Sequence, residues 1–376
     1  MSTDVSAAPD PAGVRAARLV AHGLVAPFAS PAEAVERLVC VQAQDLPSAK
    51  WVLGARVRGA TEASIDEAID DRSLLRSWPM RGTLHFVEPA MLRPILALTA
   101  ERLMRRAAKT HRDEGIDDDV HAAARRVAVR ELEGGGSASR DELQAAWNAA
   151  GIPIGGQRGY HLIWRLAVEG LLCCGPIDTR ARQRFVLLDE WSPSGADAPA
   201  DAVETASRLF VGYARGHGPV SVRDFAWWTG LTLTDARRAR DAAGDALVGA
   251  GADPGGEALF AAADAVAAPR LPSNRQALAP FDEYFLGYGD RTAFCSPADA
   301  GRVAPGKNGL FLPILVADGE VVGTWRRSPV RRGSTSVEIT AFNAGLAVDE
   351  FREPLARWAA FTSTGLGEVT VAAASR

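Results

Sequence analysis

The hydrophobic and polar positions along the chain repeat one order three times: a helix, a turn, a second helix and two short strands. The middle copy shows the order most clearly. Ser139 is followed three residues later by Glu142, which is a capping-box pattern at the start of a helix. The apolar residues after the cap recur at helical spacing and form one face: Leu143, Ala146 and Trp147.

The second half of this copy predicts another helix and a hairpin. Residues 160–171 are apolar on one helical face, and two apolar strands are expected over 171–174 and 184–188. The turn between the strands contains Gly175 and Pro176. This order is typical of a winged-helix domain, and residues 160–171 occupy the position of its DNA-recognition helix.

The same pattern divides the whole chain into four predicted units. We expect a mainly α protein with small β elements, made of three tandem winged-helix units and a C-terminal antiparallel β element. The boundaries are 14–115, 118–192, 202–268 and 272–376.

The last unit differs from the others because strands dominate it. Strands are predicted over 311–316, 321–325 and 336–342, with Asp318–Gly319 as a hairpin turn. An amphipathic helix over 349–363 is expected to close the chain.

Positive charge is concentrated in a few segments of the chain, although the formal net charge is −4. Residues 72–113 contain nine Lys or Arg against three acidic residues. Arginines also gather at two predicted hairpins: Arg180, Arg182 and Arg184 in the middle copy, and Arg326, Arg327, Arg331 and Arg332 near the C-terminus. A basic face of this kind fits the phosphates of double-stranded DNA, although the arginines could also be ordinary solvated residues.

Cysteine and histidine spacing points away from metal chemistry. The four cysteines include no C-x-x-C pair and the six histidines lie far apart in the sequence. We therefore expect reduced, buried thiols, no bound metal and no cofactor.

The N-terminus lacks the basic start and apolar run of a secretory signal, and no apolar stretch is long enough to cross a bilayer. A cytoplasmic protein is expected.

Three ordered sequence blocks resemble one enzyme family. The first is Gln42-Ala43-Gln44, the second runs from Trp78 to Val87, and the third runs from Pro280 to Arg291 with a later segment at 321–326. Together they resemble the AlkZ-type DNA glycosylases of the tandem winged-helix YcaQ/AlkZ superfamily. The resemblance covers roughly residues 14–361.

The resemblance implies monofunctional, hydrolytic excision of N7- or N3-alkylated purines, including the unhooking of bulky interstrand cross-links. A broad-specificity branch of the superfamily has Asp at the second motif position. Because this chain has Gln44 there, it looks closer to the branch associated with antibiotic self-resistance.

Two amides are chemically adequate for such a reaction. Alkylation at N7 makes the base cationic, so it leaves as a neutral molecule without a general acid. The carbonyl oxygens of Gln42 and Gln44 can then orient water and stabilise positive charge on the sugar. Alternate residues share a face only in an extended segment, so this hypothesis requires the preceding helix to end near Cys40.

Neighbouring residues have alternative interpretations. Asp45 is expected to cap the next helix more than to stabilise charge in the site. Lys50 could form a Schiff base with an abasic sugar, but a hydrolytic family and a helical position argue against it. His85 could order the site or contact phosphate, or be purely structural, and Arg81 is a candidate DNA contact. Trp78 and Trp164 are expected in the core.

Two rival functions remain open at this stage. A winged-helix DNA-binding regulator needs no catalytic glutamines and usually dimerises, whereas we expect a monomer. A broad-specificity alkylpurine repair glycosylase would share the chemistry without a dedicated bulky substrate.

Overall fold

The computed structural model describes residues 10–178, 182–193, 201–253, 255–266, 273–306 and 309–372. Within them the chain forms a mixed α/β fold of fifteen α-helices and thirteen strands. Strands are therefore more extensive than the prediction of a mainly α protein allowed. Over the same residues no helix is long and apolar enough to span a membrane.

The helices are, in chain order, α1 Pro11–Ala21, α2 Pro31–Leu38, α3 Leu46–Gly54, α4 Glu62–Asp70, α5 Pro89–Asp113, α6 Asp118–Leu132, α7 Arg140–Ala149, α8 Arg158–Val168, α9 Leu188–Trp191, α10 Ala202–His217, α11 Val222–Thr229, α12 Leu233–Ala243, α13 Glu283–Leu286, α14 Pro297–Val303 and α15 Arg352–Phe361. The strands are β1 Cys40–Gln42, β2 Leu75–Met80, β3 Thr83–Val87, β4 Leu172–Ile177, β5 Gln183–Leu187, β6 Val220–Ser221, β7 Leu247–Ala252, β8 Ala258–Ala262, β9 Arg275–Leu278, β10 Ile314–Ala317, β11 Glu320–Arg327, β12 Ser334–Ala341 and β13 Gly365–Val371.

The chain divides into two compact units. The first unit is discontinuous and combines the residues up to Ile65 with those from Ser207 onward. The second unit is the intervening segment, Asp66–Ala206. The first unit contains both glutamines of the motif.

The second unit contains an antiparallel sheet in the strand order β3, β2, β4, β5. The predicted capping box is confirmed, because Glu142 N–H donates to Ser139 Oγ at 3.2 Å and Ser139 N–H donates to Glu142 Oε2 at 2.7 Å. Trp147 of α7 is fully buried, and its Nε1–H donates to the carbonyl of Ala124 at 3.0 Å.

Helix α8 is a core element of this unit. Leu162, Trp164 and Leu166 belong to its main apolar cluster. Every residue of α8, which is described over its full length, is buried or half-buried. Four polar or amphipathic residues of α8 are only half-buried: Arg158, Tyr160, His161 and Arg165. The interpretation of α8 as a recognition helix stays a prediction.

The first unit contains two sheets. A three-stranded sheet has the order β6, β8, β7, and a five-stranded sheet has the order β13, β12, β11, β10, β9. Asp318 and Gly319 have φ of 49° and 82°, the left-handed pair that a two-residue hairpin turn requires. The predicted turn between β10 and β11 is thus confirmed.

The C-terminal sheet is not purely antiparallel as predicted. Strand β13 follows helix α15 and pairs in parallel with β12, for example Ile339 with Val371. A helical connection brings a strand back in the same direction as its neighbour, which a hairpin cannot do. The sequence prediction stopped at the helix and missed this edge strand.

The thiols follow the sequence expectation. All four cysteines lie in the described residues, where they are buried thiols outside any disulfide. Burial raises the pKa of Cys174 to about 11 and that of Cys295 to about 12. These groups therefore stay protonated and unreactive at neutral pH.

Candidate active site

The motif glutamines follow an abrupt helix end. Helix α2 begins at Pro31 behind the N-cap Ser30 and ends at Leu38. Val39 then has φ 64°, a left-handed conformation that β-branched residues rarely adopt. Strand β1 begins at the next residue. The requirement that the helix end near Cys40 is confirmed.

The strained turn at Val39 is supported by close packing. A side chain added at Gly212 would place its Cβ 2.6 Å from Val39 Cγ2, so α10 approaches this turn at a position where only glycine fits. Strain of this kind persists only where surrounding structure enforces it, and it clusters at functional sites.

Burial alternates along the motif. Val41 and Ala43 are fully buried, whereas Gln42 is half-buried and Gln44 is exposed. Strand β1 ends at Gln42, and Gln44 lies in the bend that leads to α3. Neither glutamine is fully buried in the core of the first unit.

A buried carboxylate lies directly behind the motif. The backbone N–H of Gln42 donates to Glu283 Oε1 at 2.8 Å. The other oxygen of Glu283 accepts from Trp228 Nε1–H at 3.2 Å and lies 3.4 Å from His217 Nε2. Glu283 is completely buried. It holds the backbone of the first motif glutamine to helix α13.

The turn that delivers Glu283 is itself held by a buried ion pair. Arg56 donates to both oxygens of Asp282, at 2.9 and 2.7 Å, and both side chains are fully buried. Asp282 also accepts from Tyr284 N–H at 2.8 Å as the N-cap of α13. A bidentate pair of this geometry fixes the orientation of the turn as well as its position.

Two neutral side chains, His22 and Tyr288, lie in the same buried region of the first unit. Tyr288 Oη–H donates to the carbonyl of His217 at 2.7 Å and so can accept from His22 Nε2–H, which lies 2.9 Å away. Burial, with added repulsion from His217, Arg56 and Arg18, holds the pKa of His22 well below its ordinary value. Burial raises the pKa of Tyr288. Both groups are thus neutral in the folded protein.

Asp45 and Lys50 have structural roles. Asp45 accepts from Ser48 N–H at 3.2 Å and from the Ser48 hydroxyl, which confirms its capping role at α3. Lys50 lies inside α3, is buried, and contacts Glu62 at 3.3 Å. An ammonium held in this way is poorly placed to attack a sugar.

Arg81 and His85 lie together in the second unit. His85 is fully buried and its Nδ1 lies 2.8 Å from the carbonyl of Thr83, while its Nε2 lies 3.1 Å from Arg81 Nη2. A neutral ring protonated at Nδ1 satisfies both contacts. His85 therefore positions Arg81, and Trp78 and Trp164 lie in the core as expected.

The wing arginines make local contacts. Arg184 donates to the Ser137 hydroxyl at 2.9 Å and to Glu142 Oε2 at 2.7 Å. Arg182 pairs with Asp178 at 3.3 Å. Arg180 lies outside the described residues. The prediction that these three side chains contact DNA stays a prediction, and Arg184 in particular serves the capping box of α7.

The C-terminal arginines lie on an exposed hairpin. Residues 328–333 connect β11 and β12, and the tip is closed by reciprocal backbone bonds between Arg331 and Ser334 at 2.8 and 3.0 Å. Arg332 and Gly333 both have positive φ, which gives a tight turn. Arg326 pairs with Glu338 at 2.7 Å while remaining 76% exposed. We name residues 326–333 the arginine hairpin.

Glu283 is the site residue that sequence reasoning did not single out. It lies in the third resembling block, which runs from Pro280 to Arg291. That block was a usable signal, but the contact joins residues 241 positions apart. Spacing along the sequence gives no indication of such a pair.

Comparisons with known proteins agree with this geometry. The fold matches the solved structure of a Streptomyces sahachiroi DNA glycosylase, AlkZ, with a TM-score of 0.77 and 24% identity over 97% of this chain and 100% of that one. A curated relative from the same organism is named an interstrand DNA cross-link repair glycosylase. It is 28% identical over 323 residues, 79% of this chain and 82% of the relative.

A family model that covers most of the chain defines its class as DNA glycosylases of the AlkZ-like type. The model of the DNA glycosylase AlkZ-like family matches residues 35–361. The chain belongs to that family.

Proposed function

We propose that this protein hydrolyses the N-glycosidic bond of N7- or N3-alkylated purines in double-stranded DNA, with bulky adducts and interstrand cross-links among its substrates. The observation that carries the proposal is that neither Gln42 nor Gln44 is fully buried and that a buried carboxylate holds the backbone of Gln42. The similarity to a relative named for cross-link repair supports the substrate class.

The reaction requires the protein mainly to position the attacking water and the sugar. The C1′–N9 bond breaks with its electron pair going to N9, so a cationic N7-alkylguanine leaves neutral. Water adds to C1′ and loses a proton to solvent, which leaves an abasic site. The two amide oxygens orient that water and face the positive charge that develops on the sugar.

Glu283 acts as a positioning residue in this proposal. Its bond to Gln42 N–H fixes the backbone at the end of β1 and so the position of the first motif glutamine. Because the carboxylate is buried, it does not contact DNA itself.

Three winged-helix units with a C-terminal β element remain our interpretation of the architecture. The succession of α7, α8, β4 and β5 supports it for the middle copy. In this proposal the arginine hairpin is the chief DNA contact, because its residues 326–333 are exposed. Its exposed guanidinium groups suit phosphates in a groove.

The presence of Gln44 where the broad branch has Asp favours a dedicated bulky substrate and a role in self-resistance to a DNA-alkylating natural product. A base that carries such an adduct cannot swing freely out of the duplex. An open site that reaches the base within the duplex therefore suits this substrate better than a deep pocket for a flipped base. The exposed position of Gln44 agrees with open access.

The decisive experiment measures base release from duplex DNA containing N7-methylguanine. We expect wild-type protein to release the free base, and Gln42→Ala and Gln44→Ala to lose release while keeping DNA affinity. Gln157→Ala is the matched control, because Gln157 is an exposed glutamine whose side chain makes no capping bond in α8. DNA binding without release by the wild type would favour the non-catalytic regulator.

A second comparison separates the two glycosylase alternatives. A wild type that releases methylguanine but leaves a defined cross-linked duplex intact in a denaturing gel would favour the broad repair enzyme.

A further inference from the structure

A cavity of about 410 Å³ opens in the first unit beside the start of α3. We name it the α3 cavity. Small-molecule sites in proteins are commonly of this size, at about 300–1,000 Å³. The reaction proposed above assigns no role to this space.

The α3 cavity lies next to the motif in the chain and in space. Asp45 lines it and directly follows Gln44. Pro280 lines another wall, three residues before the carboxylate that holds Gln42. Arg327 and Val330 of the arginine hairpin also line it. The space therefore extends between the catalytic amides and the hairpin proposed to contact DNA.

The walls offer aromatic surface in place of hydrogen-bond donors. Trp51 Nε1–H donates to the carbonyl of Ala277 at 2.9 Å, and Trp325 Nε1–H donates to that of Leu278 at 3.0 Å. Their polar groups are thus occupied within the protein. Trp358 packs edge-on against Trp325 with ring centroids 4.8 Å apart. The rings are left to contact a ligand through their apolar surfaces.

The polar groups of the cavity include both acceptors and a donor. Asp45 and Glu62 are carboxylates and Arg327 is a guanidinium donor. The Thr335 hydroxyl donates to the carbonyl of Ser328 at 2.9 Å, and the Thr362 hydroxyl donates to that of Ala359 at 3.0 Å, so each hydroxyl oxygen can still accept a hydrogen bond. A ligand that fits is therefore a ring-bearing group that also carries polar atoms of its own.

We infer that the α3 cavity binds the substituent that a bulky alkylating agent leaves on the purine. The inference rests on the proposed function and deepens it. With the glycosidic bond at Gln44, a large group attached to the same base has to be placed beside the motif, and this cavity is the adjacent space of matching size and chemistry. The cavity would then determine which adducts the enzyme prefers.

The test compares two adducts in otherwise identical duplexes, N7-methylguanine and N7-(naphthylmethyl)guanine, by single-turnover base release. Two variants place a larger side chain on lining residues from different elements, Thr362→Phe and Pro313→Phe. Pro313 is half-buried and lies outside the arginine hairpin, so its replacement leaves the proposed DNA contacts unchanged and keeps the test open if Thr362→Phe folds poorly. Thr370→Phe is the control, because Thr370 is exposed on β13 of the same unit and does not line the cavity.

We expect release of the naphthylmethyl base to fall by about tenfold or more in both variants, the size of effect that pocket contacts produce. Release of methylguanine should stay at the wild-type rate, and the control should release both bases normally. In Pro313→Phe, wild-type rates for both adducts, or equal slowing of both adducts, would overturn the inference alone. A wild type that releases neither base would overturn the proposed function and the inference with it.

Discussion

The buried carboxylate of Glu283 accepts the backbone N–H of Gln42 at 2.8 Å. The bond joins the motif to the opposite half of the discontinuous first unit. It explains how a short strand of three residues after a strained turn keeps a defined geometry.

Glu283→Gln should lower kcat for base release with little change in DNA affinity. The replacement keeps an oxygen for Gln42 but turns an amide NH2 toward Trp228 Nε1–H, so one donor loses its acceptor. Hydrogen bonds to charged groups contribute about 1.5–3 kcal/mol, and Glu283→Ala should be more severe than Glu283→Gln. Single-turnover rates together with binding isotherms provide the measurement.

The matched control is Glu368→Gln, because Glu368 is exposed on β13. If folded Glu283→Ala protein released base at the wild-type rate, the carboxylate would have no positioning role.

Asp282→Asn should destabilise the protein strongly. The substitution leaves the fully buried Arg56 without its charged partner, and breaking such a pair costs about 3–5 kcal/mol. Urea unfolding measures the effect. Glu101→Gln breaks the exposed pair with Arg105 on α5 and should cost only about 0.5 kcal/mol. Similar losses in the two variants would contradict the importance of the buried pair.

Neutralising the arginine hairpin should weaken binding to all DNA sequences alike. If Arg326 and Arg327 each contact a phosphate, the double change to Ala should reduce the slope of log K against log salt by about 0.9 per contact. Fluorescence anisotropy between low and moderate salt measures that slope. Arg352→Ala, an exposed arginine outside the hairpin, serves as the control, and an unchanged slope in the double variant would remove the hairpin from the DNA contacts.

Stability should fall as the pH is lowered from 7.5 toward 5.5. The pKa of His22 is held well below 6.5 by burial first and by nearby positive groups second, and burial and Arg165 lower the pKa of His111. Below pH 6.5 these two histidines therefore bind protons in the unfolded chain but stay neutral in the folded protein. The unfolding free energy should decline by up to about 1.4 kcal/mol per pH unit for each such histidine.

Urea unfolding at several pH values measures this dependence. His22→Gln keeps a donor for Tyr288 without a titrating group, so its stability should depend less on pH than that of the wild type. A wild-type stability that is flat across this range would show that His22 is not held neutral by the fold.

Local features were predictable because they depend on neighbours in the sequence. The capping box at Ser139, the cap at Asp45 and the hairpin turn at Asp318 all involve residues within a few positions of one another. The proposed role of the two glutamines required α2 to end near Cys40, and the helix does end there. The positive φ of Val39, in contrast, has no sequence signature.

Features that depend on distant contacts were missed. The role of Glu283 and the parallel pairing of β13 both require knowing what packs against a segment from far away in the chain. Arg184 looked like a free basic residue until Glu142 was placed beside it.

The first unit is built from two segments separated by the whole second unit, which has a consequence for synthesis on the ribosome. Gln42 is translated 241 residues before the acidic residue that secures its backbone. A nascent or prematurely terminated chain that lacks Glu283 would carry both amides without this support. Such fragments should be unable to release bases from the genome, so activity is acquired only after Glu283 has been synthesised.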